Sequence, residues 1–293
     1  MDQLFAGFDE AAYLQANPDV CQAVDSGFYA SGLEHYLYHG FRKNRPGVLP
    51  EVSKAINDFM DLLCSGDLLL PPEHLRKRVH GGIDIVNFEN IGRIIAMNIY
   101  SSINSVIKLG EHQRILDFGC GCGRIIRYLH NLFAKGRLYG VDIDSEAIAW
   151  CRRNLSQIGD FIVNNELGPL PFPDELFDFV YSISVFTHLP EHMELAWLEE
   201  LRRVTKPGGY LLLTTHGEKI FQDTPEENQR QLREHGFSYY LVSKTEGLPD
   251  FYQTSFHTED YIYRQWGKFF EVKKFVKNGV ANRQDLILCR RPA

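Results

Sequence analysis

The chain has 293 residues, of which 44% are hydrophobic and 24% charged, a composition typical of a soluble globular protein with one large or two small domains. Its formal net charge of −7 argues against the basic surface that nucleic-acid binding requires. No apolar run reaches the roughly 18 residues of a membrane span, and the first 20 residues lack the pattern of a signal peptide.

The six cysteines are scattered along the chain, which predicts reduced thiols in a cytoplasmic protein. They are Cys21, Cys64, Cys120, Cys122, Cys151 and Cys289. Cys120 and Cys122 stand one residue apart, but no second Cys or His pair lies at a spacing typical of zinc sites. We therefore interpret them as small residues in a tight turn and predict no metal.

Residues 1–48 are predicted to form a small helical unit, because helical stretches are interrupted there by Asn-Pro and by glycines. The pattern over residues 8–40, with Asn-Pro-Asp-Val at 17–20, resembles a short unit attached to bacterial enzymes of surface polysaccharide and glycan assembly. The resemblance implies docking to a glycan-synthesis partner or homo-oligomerisation. A helical appendage that merely covers one side of the core is the open alternative.

Residues 49–110 are predicted to be helical, because apolar residues recur on one face at helical spacing. Ile56, Phe59 and Met60 mark one such helix, and residues 91–99 mark another. A basic segment lies between them and is followed by Gly81-Gly82, a pair that can act as a hinge.

The next segment predicts a strand, a tight turn and a helix. A short apolar run ends in Asp117-Phe118 and is followed by glycine at 119, 121 and 123, after which helical periodicity begins. Glycine permits backbone conformations that a Cβ forbids and lets a ligand approach the main chain closely. The helix that opens here offers unpaired N–H groups beside the same turn.

Several ligands could occupy such a turn. A dinucleotide fingerprint needs a third glycine where this chain has Arg124, and a phosphate loop of the Walker type needs Lys-Ser/Thr, which is absent. The pattern Asp-x-Gly-x-Gly-x-Gly over 117–123 instead resembles the first motif of class I S-adenosylmethionine-dependent methyltransferases. A plain tight turn of another α/β protein remains the alternative.

This resemblance implies that the turn passes under the methionine part of S-adenosylmethionine. The cofactor residues that it implies here are Asp117, Gly119, Cys120, Gly121 and Gly123. It also implies that the preceding helices form a lid over the cofactor. Arg76, Arg78 and His80 would then reach the site, although a solvated basic segment is the open alternative.

Residues 137–142 are predicted to form the second strand, with Asp142 at its end. An acid in this place can accept both ribose hydroxyls of a nucleoside, through charge-assisted bonds of about 1.5–3 kcal/mol. The sequence Gly-Val-Asp-Ile-Asp over 140–144 resembles the second motif of the same family, which adds Ile143 to the predicted cofactor residues. A strand-end cap is the alternative for Asp142.

The third and fourth strands are predicted at 161–163 and 177–182. The resemblance implies that Asn164 and Asn165, where many members have Asp, contact the adenine ring. The segment from Phe177 to Pro190 resembles the stretch that faces the reacting methyl group in this family. Ser182 and Ser184 are therefore predicted on the cofactor side.

Beyond the fourth strand, Lys206-Pro207-Gly208-Gly209 closely resembles the turn Leu-Lys-Pro-Gly-Gly of the family, and a fifth strand is predicted at 210–215. An aromatic-rich insertion follows, and the last strand is predicted at 284–289. Aromatic side chains here suit a substrate wall, whereas an ordinary core is an equal alternative for each ring. The predicted substrate residues are Tyr240, Tyr252, Phe256 and Gln284.

Three histidines are candidates for a general base. Methyl transfer to an alcohol requires removal of a proton, and histidine titrates near neutral pH. His216 and His257 are the preferred bases. His188 occurs across the family with different substrates, which suggests a structural or cofactor-side role, and structural histidines are the alternative for all three.

Taken together, the sequence predicts an α/β fold, a Rossmann-like doubly wound seven-stranded sheet whose last strand is antiparallel, with a helical N-terminal extension. The predicted domains are 1–48, a helical cap at 49–110 and a cofactor-binding domain at 111–293. The predicted reaction is O-methylation of a sugar or glycan hydroxyl. The rivals are methylation of another small molecule on nitrogen or oxygen, a non-catalytic scaffold that binds S-adenosylmethionine, and, more distantly, a nicotinamide dehydrogenase.

Overall fold

The fold is described from a computed structural model. It describes residues 5, 7–29, 31–40, 43–63, 66–104, 106–107, 113–133, 136–221, 224–241, 247–281 and 283–293, without the side chains of residues 80, 218 and 219. Cys64, the side chain of His80 and the predicted domain boundary at 110–111 lie outside this part of the chain.

Helices occupy the chain ahead of the sheet, as the sequence predicts. They are α1 (Glu10–Ala16), α2 (Pro18–Asp25), α3 (Gly32–His35), which continues into a π-helical turn (Tyr36–Gly40), α4 (Pro50–Leu62), α5 (Glu73–His80) and α6 (Ile85–Ile103). Asp9 and Asp84 are the N-caps of α1 and α6, since each side chain accepts a hydrogen bond from the backbone N–H three residues on. The division of this region at residue 48 remains a prediction.

The described residues contain nine strands in one sheet. They are β1 (Arg114–Phe118), β2 (Arg137–Asp142), β3 (Asp160–Val163), β4 (Phe177–Ser182), β5 (Thr205–His216), β6 (Phe237–Tyr240), β7 (Thr254–His257), β8 (Glu271–Val280) and β9 (Gln284–Arg290). The helices between and after them are α7 (Ile126–Leu129), α8 (Ser145–Asn154), α9 (Glu191–Val204), α10 (Glu218–Phe221), α11 (Glu226–His235) and α12 (Glu259–Gln265), which leads into a 3-10 turn (Trp266–Lys268).

The strand order confirms the predicted Rossmann-like sheet. Strands β3, β2, β1, β4 and β5 are parallel neighbours in that order. The last strand, β9, pairs antiparallel with β5 from Tyr210↔Arg290 to His216↔Gln284, and β8 pairs with the other edge of β9. The order in which the chain adds strands reverses between β1 and β4. In sheets of this kind a ligand cleft opens at that point, at the carboxyl ends of the strands.

Two details of the prediction are wrong. The sheet has nine strands rather than seven, because the aromatic-rich insertion contributes β6 and β7, which pair antiparallel with each other while β7 meets β5 only at His216↔Phe256. The helix after the glycine turn is a single turn, Ile126–Leu129. All four of its residues are buried, so close packing on every side rather than an amphipathic stripe sets the chain path there.

Two large hydrophobic clusters hold the fold together. One contains buried residues of the N-terminal helices, such as Tyr13 and Phe88, together with Tyr128 and Leu286 of the sheet region. The other contains Trp197 and Trp266. The N-terminal helices therefore share a continuous core with the sheet region, which fixes α5 and α6 near the carboxyl ends of the strands.

Candidate active site

A cleft of about 900 Å³, part of it open to solvent, lies at the carboxyl ends of β1, β2 and β4. Seven of the eleven predicted cofactor residues line it: Gly119, Cys120, Gly121, Asp142, Ile143, Asn164 and Ser184. The sheet topology therefore brings together residues that are up to 65 positions apart in the sequence.

The glycine turn forms one wall of this cleft. Gly119, Gly121 and Gly123 all have positive φ, at 82°, 51° and 75°. A Cβ on Gly119 would lie 2.1 Å from Val185 Cγ2, and a Cβ on Gly121 would lie 2.4 Å from Val79 Cγ1. The turn must therefore be bare at both positions, for conformation and for space.

Asp142 connects the end of β2 to this turn. Its Oδ2 accepts a hydrogen bond from the Gly121 N–H at 2.6 Å, and its Oδ1 accepts from the Asp144 N–H at 2.8 Å. Burial raises the pKa of Asp142 to about 6. The carboxylate is thus held at the cleft by backbone donors, in a position to bind a ligand that offers hydroxyl donors.

Asp117 lies behind the turn and is 2% exposed. Burial raises the pKa of Asp117 to about 8, although the Tyr181 hydroxyl beside it and the charge of Arg124 act in the opposite direction. Burial of a carboxylate is costly, and a cationic ligand nearby would lower that cost.

Helix α5 covers the cleft with Arg78 and Val79. Arg78 forms ion pairs of 2.9 Å with Asp144 and with Glu146 at the start of α8. The predicted lid therefore has a contact at Arg78. Arg76 does not line the cleft, and its guanidinium donates to the carbonyls of Pro71 and Ile83, which precede and follow the helix in sequence.

A covering loop, residues 247–253, closes the cleft from the other side with Leu248, Phe251 and Tyr252. The Tyr252 ring stacks on His188 with ring centroids 4.1 Å apart, and its hydroxyl donates to the Ser184 carbonyl at 3.3 Å. The Gln253 N–H donates to the His188 carbonyl at 3.3 Å. This loop is therefore joined to the segment that follows β4.

The hydrogen bonding of His188 fixes its tautomer. Nδ1 bonds the Gln253 carbonyl, which can only accept, so Nδ1 carries the proton and Nε2 keeps a lone pair. Burial lowers the pKa of His188 to about 4, so the ring is neutral near pH 7. His216, with its ring centroid 6.0 Å from that of His188, has its pKa lowered to about 3, also by burial.

The structure corrects the assignment of His257. Its side chain is 0% exposed, and Nε2 lies 2.5 Å from Oε2 of Glu194, which is also 0% exposed. The other Glu194 oxygen accepts from Trp266 Nε1 at 2.8 Å and from the Tyr261 hydroxyl at 3.2 Å. His257 therefore belongs to a buried polar network inside the protein, not to the wall of the cleft.

Three predicted substrate residues also lie away from the cleft. The Tyr240 and Phe256 rings stack on each other, and Phe256 is 1% exposed within a small cluster between β7 and α11. Gln284 contacts the Ser184 hydroxyl instead of the cleft. The insertion forms strands that the sequence did not predict. These strands bury Phe256 and partly bury Tyr240 in this cluster. Tyr252 is the one predicted substrate residue among the described residues that line the cleft.

Four predicted cofactor residues do not line the cleft. Asp117 lies behind the turn, and Gly123 packs against α8, since a Cβ there would lie 2.5 Å from Leu155. Asn165 is exposed. The Ser182 hydroxyl donates to the Phe118 carbonyl at 2.8 Å and so joins β4 to β1. Their assignment to the cofactor stays a prediction.

Several residues of the cleft were not predicted from the sequence. Arg124 is 9% exposed and lines the cleft, whereas the sequence prediction used it only as evidence against a dinucleotide-binding motif. Leu189, Trp197 and Phe251 add apolar walls. Trp197 lies on α9, where helical periodicity can indicate burial but not a cleft. A long charged side chain directly after a glycine turn is a usable signal for Arg124.

Among the residues that the structure describes, no three His, Cys, Asp or Glu side chains are grouped as metal ligands. Within the same residues, no helix is long and apolar enough to cross a membrane. The cysteines of the described part, which include Cys120 and Cys122, are all free thiols.

Comparison with known proteins bears on what this cleft holds. Residues 116–213 match the model of a family described as a methyltransferase domain. The chain is similar to a fatty-acid O-methyltransferase of Mycolicibacterium smegmatis, 38% identical over 36% of this chain and 37% of that protein. It is also similar to a malonyl-[acyl-carrier protein] O-methyltransferase of Bacillus anthracis, 23% identical over 75% of this chain and 84% of that protein.

Among solved structures, an S-adenosylmethionine-dependent methyltransferase from Methanosarcina mazei is 24% identical, with a TM-score of 0.50 over 66% of this chain and 98% of that one. This likeness shows the shared fold. The match to the fatty-acid enzyme spans about two-fifths of that protein's length. Residues 116–213, about a third of the chain, are therefore similar to a methyltransferase domain, for which S-adenosylmethionine is the implied cofactor.

The cleft fits this cofactor. S-adenosylmethionine carries a sulfonium, an ammonium and a ribose with two hydroxyls. Asp117 is a buried carboxyl group behind the turn, which suits positive charge nearby. Asp142 offers a carboxylate to hydroxyl donors, and the bare turn at Gly119 and Gly121 leaves the main chain open to close approach.

Proposed function

We propose, from the methyltransferase domain at residues 116–213, that this protein transfers the methyl group of S-adenosylmethionine to an oxygen atom of a small organic acceptor. One observation carries the proposal: the glycine turn after β1 and the carboxylate of Asp142 after β2 face one cleft, joined by the Gly121–Asp142 hydrogen bond of 2.6 Å. The two O-methyltransferases to which the chain is similar support oxygen as the acceptor atom.

When bound, the cofactor supplies an electrophilic methyl group on a sulfonium. The residues of the chain would bind, orient and exclude water, which for an in-line displacement provides much of the acceleration. Asp142 and the turn bind the nucleoside and methionine parts. Helix α5 and the covering loop close over the cleft, with Val79 on one side and Tyr252 on the other.

Neither His188 nor His216 is among the described residues that line the cleft, but His188 stacks on Tyr252 of the cleft wall and keeps a lone pair on Nε2. Both rings are neutral near pH 7, so they remain the candidates for proton removal from a hydroxyl acceptor. A carboxylate acceptor would need no base. The assignment of a base remains part of this proposal.

The walls of the cleft favour an acceptor with an apolar part. Leu248, Phe251 and Tyr252 of the covering loop present aliphatic and aromatic surface. Apolar walls with few polar groups are typical of small-molecule sites and select for the hydrophobic portion of a ligand. We therefore infer an acyl or other apolar compound with a terminal carboxyl or hydroxyl group as the first acceptor class.

A sugar or glycan hydroxyl is the second candidate, and one observation outside the main cleft favours it. A second cleft of about 930 Å³ between the N-terminal helices and α6 is lined by Phe28, Tyr29 and Tyr38 and by the polar residues Glu34 and Asn90. Aromatic faces beside amide and carboxyl groups suit a ring that bears hydroxyls. Docking or self-association through residues 1–48, and the division 1–48, 49–110 and 111–293, belong to the same proposal.

Calorimetry with S-adenosylmethionine and S-adenosylhomocysteine is the first test, and a folded protein that binds neither contradicts the proposal. A screen that measures S-adenosylhomocysteine release with fatty acids, acyl thioesters, nucleotide sugars and oligosaccharides then separates the acceptor classes. Binding without product from any acceptor would favour a non-catalytic scaffold.

A further inference from the structure

Ser184, two residues beyond the end of β4, combines a strained backbone with a place in the cleft wall. Its φ of 63° lies in the left-handed region, which residues with a Cβ rarely adopt. Strain of this kind persists only where the surrounding structure fixes it, and it is concentrated at functional sites. The neighbours of Ser184 must therefore hold its backbone in this conformation.

Three hydrogen bonds from three separate elements fix Ser184. Its N–H donates to Thr214 Oγ1 on β5 at 2.9 Å, and its Oγ accepts from Gln284 Nε2 on β9 at 2.8 Å. Its carbonyl accepts from the Tyr252 hydroxyl of the covering loop at 3.3 Å. Thr214 is 0% exposed, so water does not compete for the first of these bonds.

The restraint on Ser184 passes directly to the glycine turn. The next residue, Val185, lies so close that its Cγ2 would be 2.1 Å from a Cβ on Gly119. Because protein interiors are closely packed, a shift of the Ser184 backbone must move this side chain relative to the turn. Ser184 thus sets the separation between two facing walls of the cleft.

We propose that Thr214 and Gln284 are positioning residues, which act through Ser184 to hold the cleft wall where methyl donor and acceptor are aligned. This inference rests on the proposed function. Neither residue is among those that line the cleft in the described part of the chain, so their effect must be indirect. Alignment matters because a displacement of about 1 Å can slow a positioned reaction by about 10²-fold.

The chain offers a matched control on the same strand. Thr215, next to Thr214, is also 0% exposed, but no described residue bonds its hydroxyl. Thr214→Val and Gln284→Leu each remove one bond to Ser184, whereas Thr215→Val removes none. We expect kcat to fall at least tenfold in the first two variants, with the cofactor Kd within twofold of wild type, and both quantities to stay within twofold in Thr215→Val.

A kcat within twofold of wild type in folded Thr214→Val and Gln284→Leu would overturn the inference. A readout independent of activity is amide hydrogen exchange at Ser184, which should accelerate in Thr214→Val and not in Thr215→Val. In addition, Ser184→Gly should melt at a higher temperature than Ser184→Ala, because glycine adopts a positive φ without strain.

The outcomes separate this inference from the proposed function. A wild-type protein that releases no S-adenosylhomocysteine with any acceptor contradicts the proposed function. Unchanged exchange at Ser184 in Thr214→Val contradicts the restraint itself, whatever the activity.

Discussion

Arg78 on the lid helix and Asp144 at the start of α8 form an ion pair of 2.9 Å between two sides of the same cleft. Their side chains are 18% and 8% exposed, so the pair is screened less than a surface pair. Gly247 of the covering loop packs on the same guanidinium, since a Cβ on Gly247 would lie 2.7 Å from Arg78 Nε. Arg78 thus joins both covers of the cleft to the wall that presents Asp142.

Removal of this contact should speed the exchange of cofactor. Arg78→Gln leaves Asp144 without its ion pair, and a partly buried pair contributes roughly 1 kcal/mol, or about fivefold in a rate. We expect a dissociation rate for S-adenosylhomocysteine about fivefold higher, measured by stopped-flow fluorescence of Trp197, which lines the cleft. Added salt should raise the wild-type rate toward that of the variant.

Arg137→Gln is the matched control for this prediction, because Arg137 pairs with Asp160 at an exposed site with side chains 66% and 49% exposed. It should leave the dissociation rate unchanged. Equal rates in Arg78→Gln and wild type would show that the ion pair does not hold the lid.

Asp142→Asn should weaken cofactor binding. The substitution keeps the size of the side chain but removes the charge that strengthens hydrogen bonds to hydroxyl donors, a loss of about 1.5–3 kcal/mol, or roughly 10–150-fold in Kd. Calorimetry measures it directly. Asp160→Asn, at the exposed start of β3, is the control, and a Kd within twofold of wild type for Asp142→Asn would remove this residue from the binding site.

Cofactor binding should release a proton from Asp117. Burial raises its pKa to about 8 in the ligand-free protein, so the carboxyl group is largely protonated at pH 7. A cationic ligand favours the ionised form, and the proton leaves on binding. Affinity should therefore rise with pH between about 4 and 8, the range between the usual pKa of an aspartate and the raised one.

Calorimetry in buffers with different ionisation enthalpies measures this proton release. We expect close to one proton at pH 7 for wild type and none for Asp117→Asn. Release that persists in Asp117→Asn would assign the proton to another group.

Local sequence patterns were enough to predict most of the fold. The boundaries of β2 and β4 agree with the sequence prediction, because continuous apolar runs bounded by turns are typical of buried parallel strands. The Asp144 cap of α8 is equally local, because its side chain accepts from the N–H groups of Glu146 and Ala147. By contrast, the partners that decide the site are distant in sequence: Glu194 lies 63 residues from His257, and Gln284 lies 100 residues from Ser184. Periodicity contains no such pairings, so His257 and Gln284 were placed in the cleft incorrectly.

The same limit applies to the covering loop. Tyr252 was predicted to contact substrate, as were Tyr240 and Phe256, because all three belong to one aromatic-rich segment. Only strand pairing distinguishes them: β6 and β7 carry Tyr240 and Phe256 into the core, while the loop between those strands brings Tyr252 over the cleft. Side-chain type alone could not make that distinction.

The buried histidines should make the protein sensitive to acid. The pKa values of His188 and His216 are lowered to about 4 and about 3 from 6.5, so between those values the unfolded chain binds protons that the folded protein does not. The stability that these two neutral rings contribute is therefore complete above about pH 6.5 and declines as pH falls toward the folded-state values. At pH 5 each histidine should account for a loss of about 2 kcal/mol.

Chemical denaturation at pH 7 and pH 5 measures this loss, and His216→Asn should reduce it by about 2 kcal/mol because asparagine does not titrate. His235→Asn is the control, since His235 lies on α11 with its side chain 71% exposed and should leave the difference between the two pH values unchanged. The comparison with wild type carries the test, because Asp117 and Asp142, whose pKa values are raised to about 8 and about 6, gain stability over the same fall in pH and offset the loss in the total. A loss that is equal in wild type and His216→Asn would place His216 in contact with solvent, where it could serve as a base of ordinary strength.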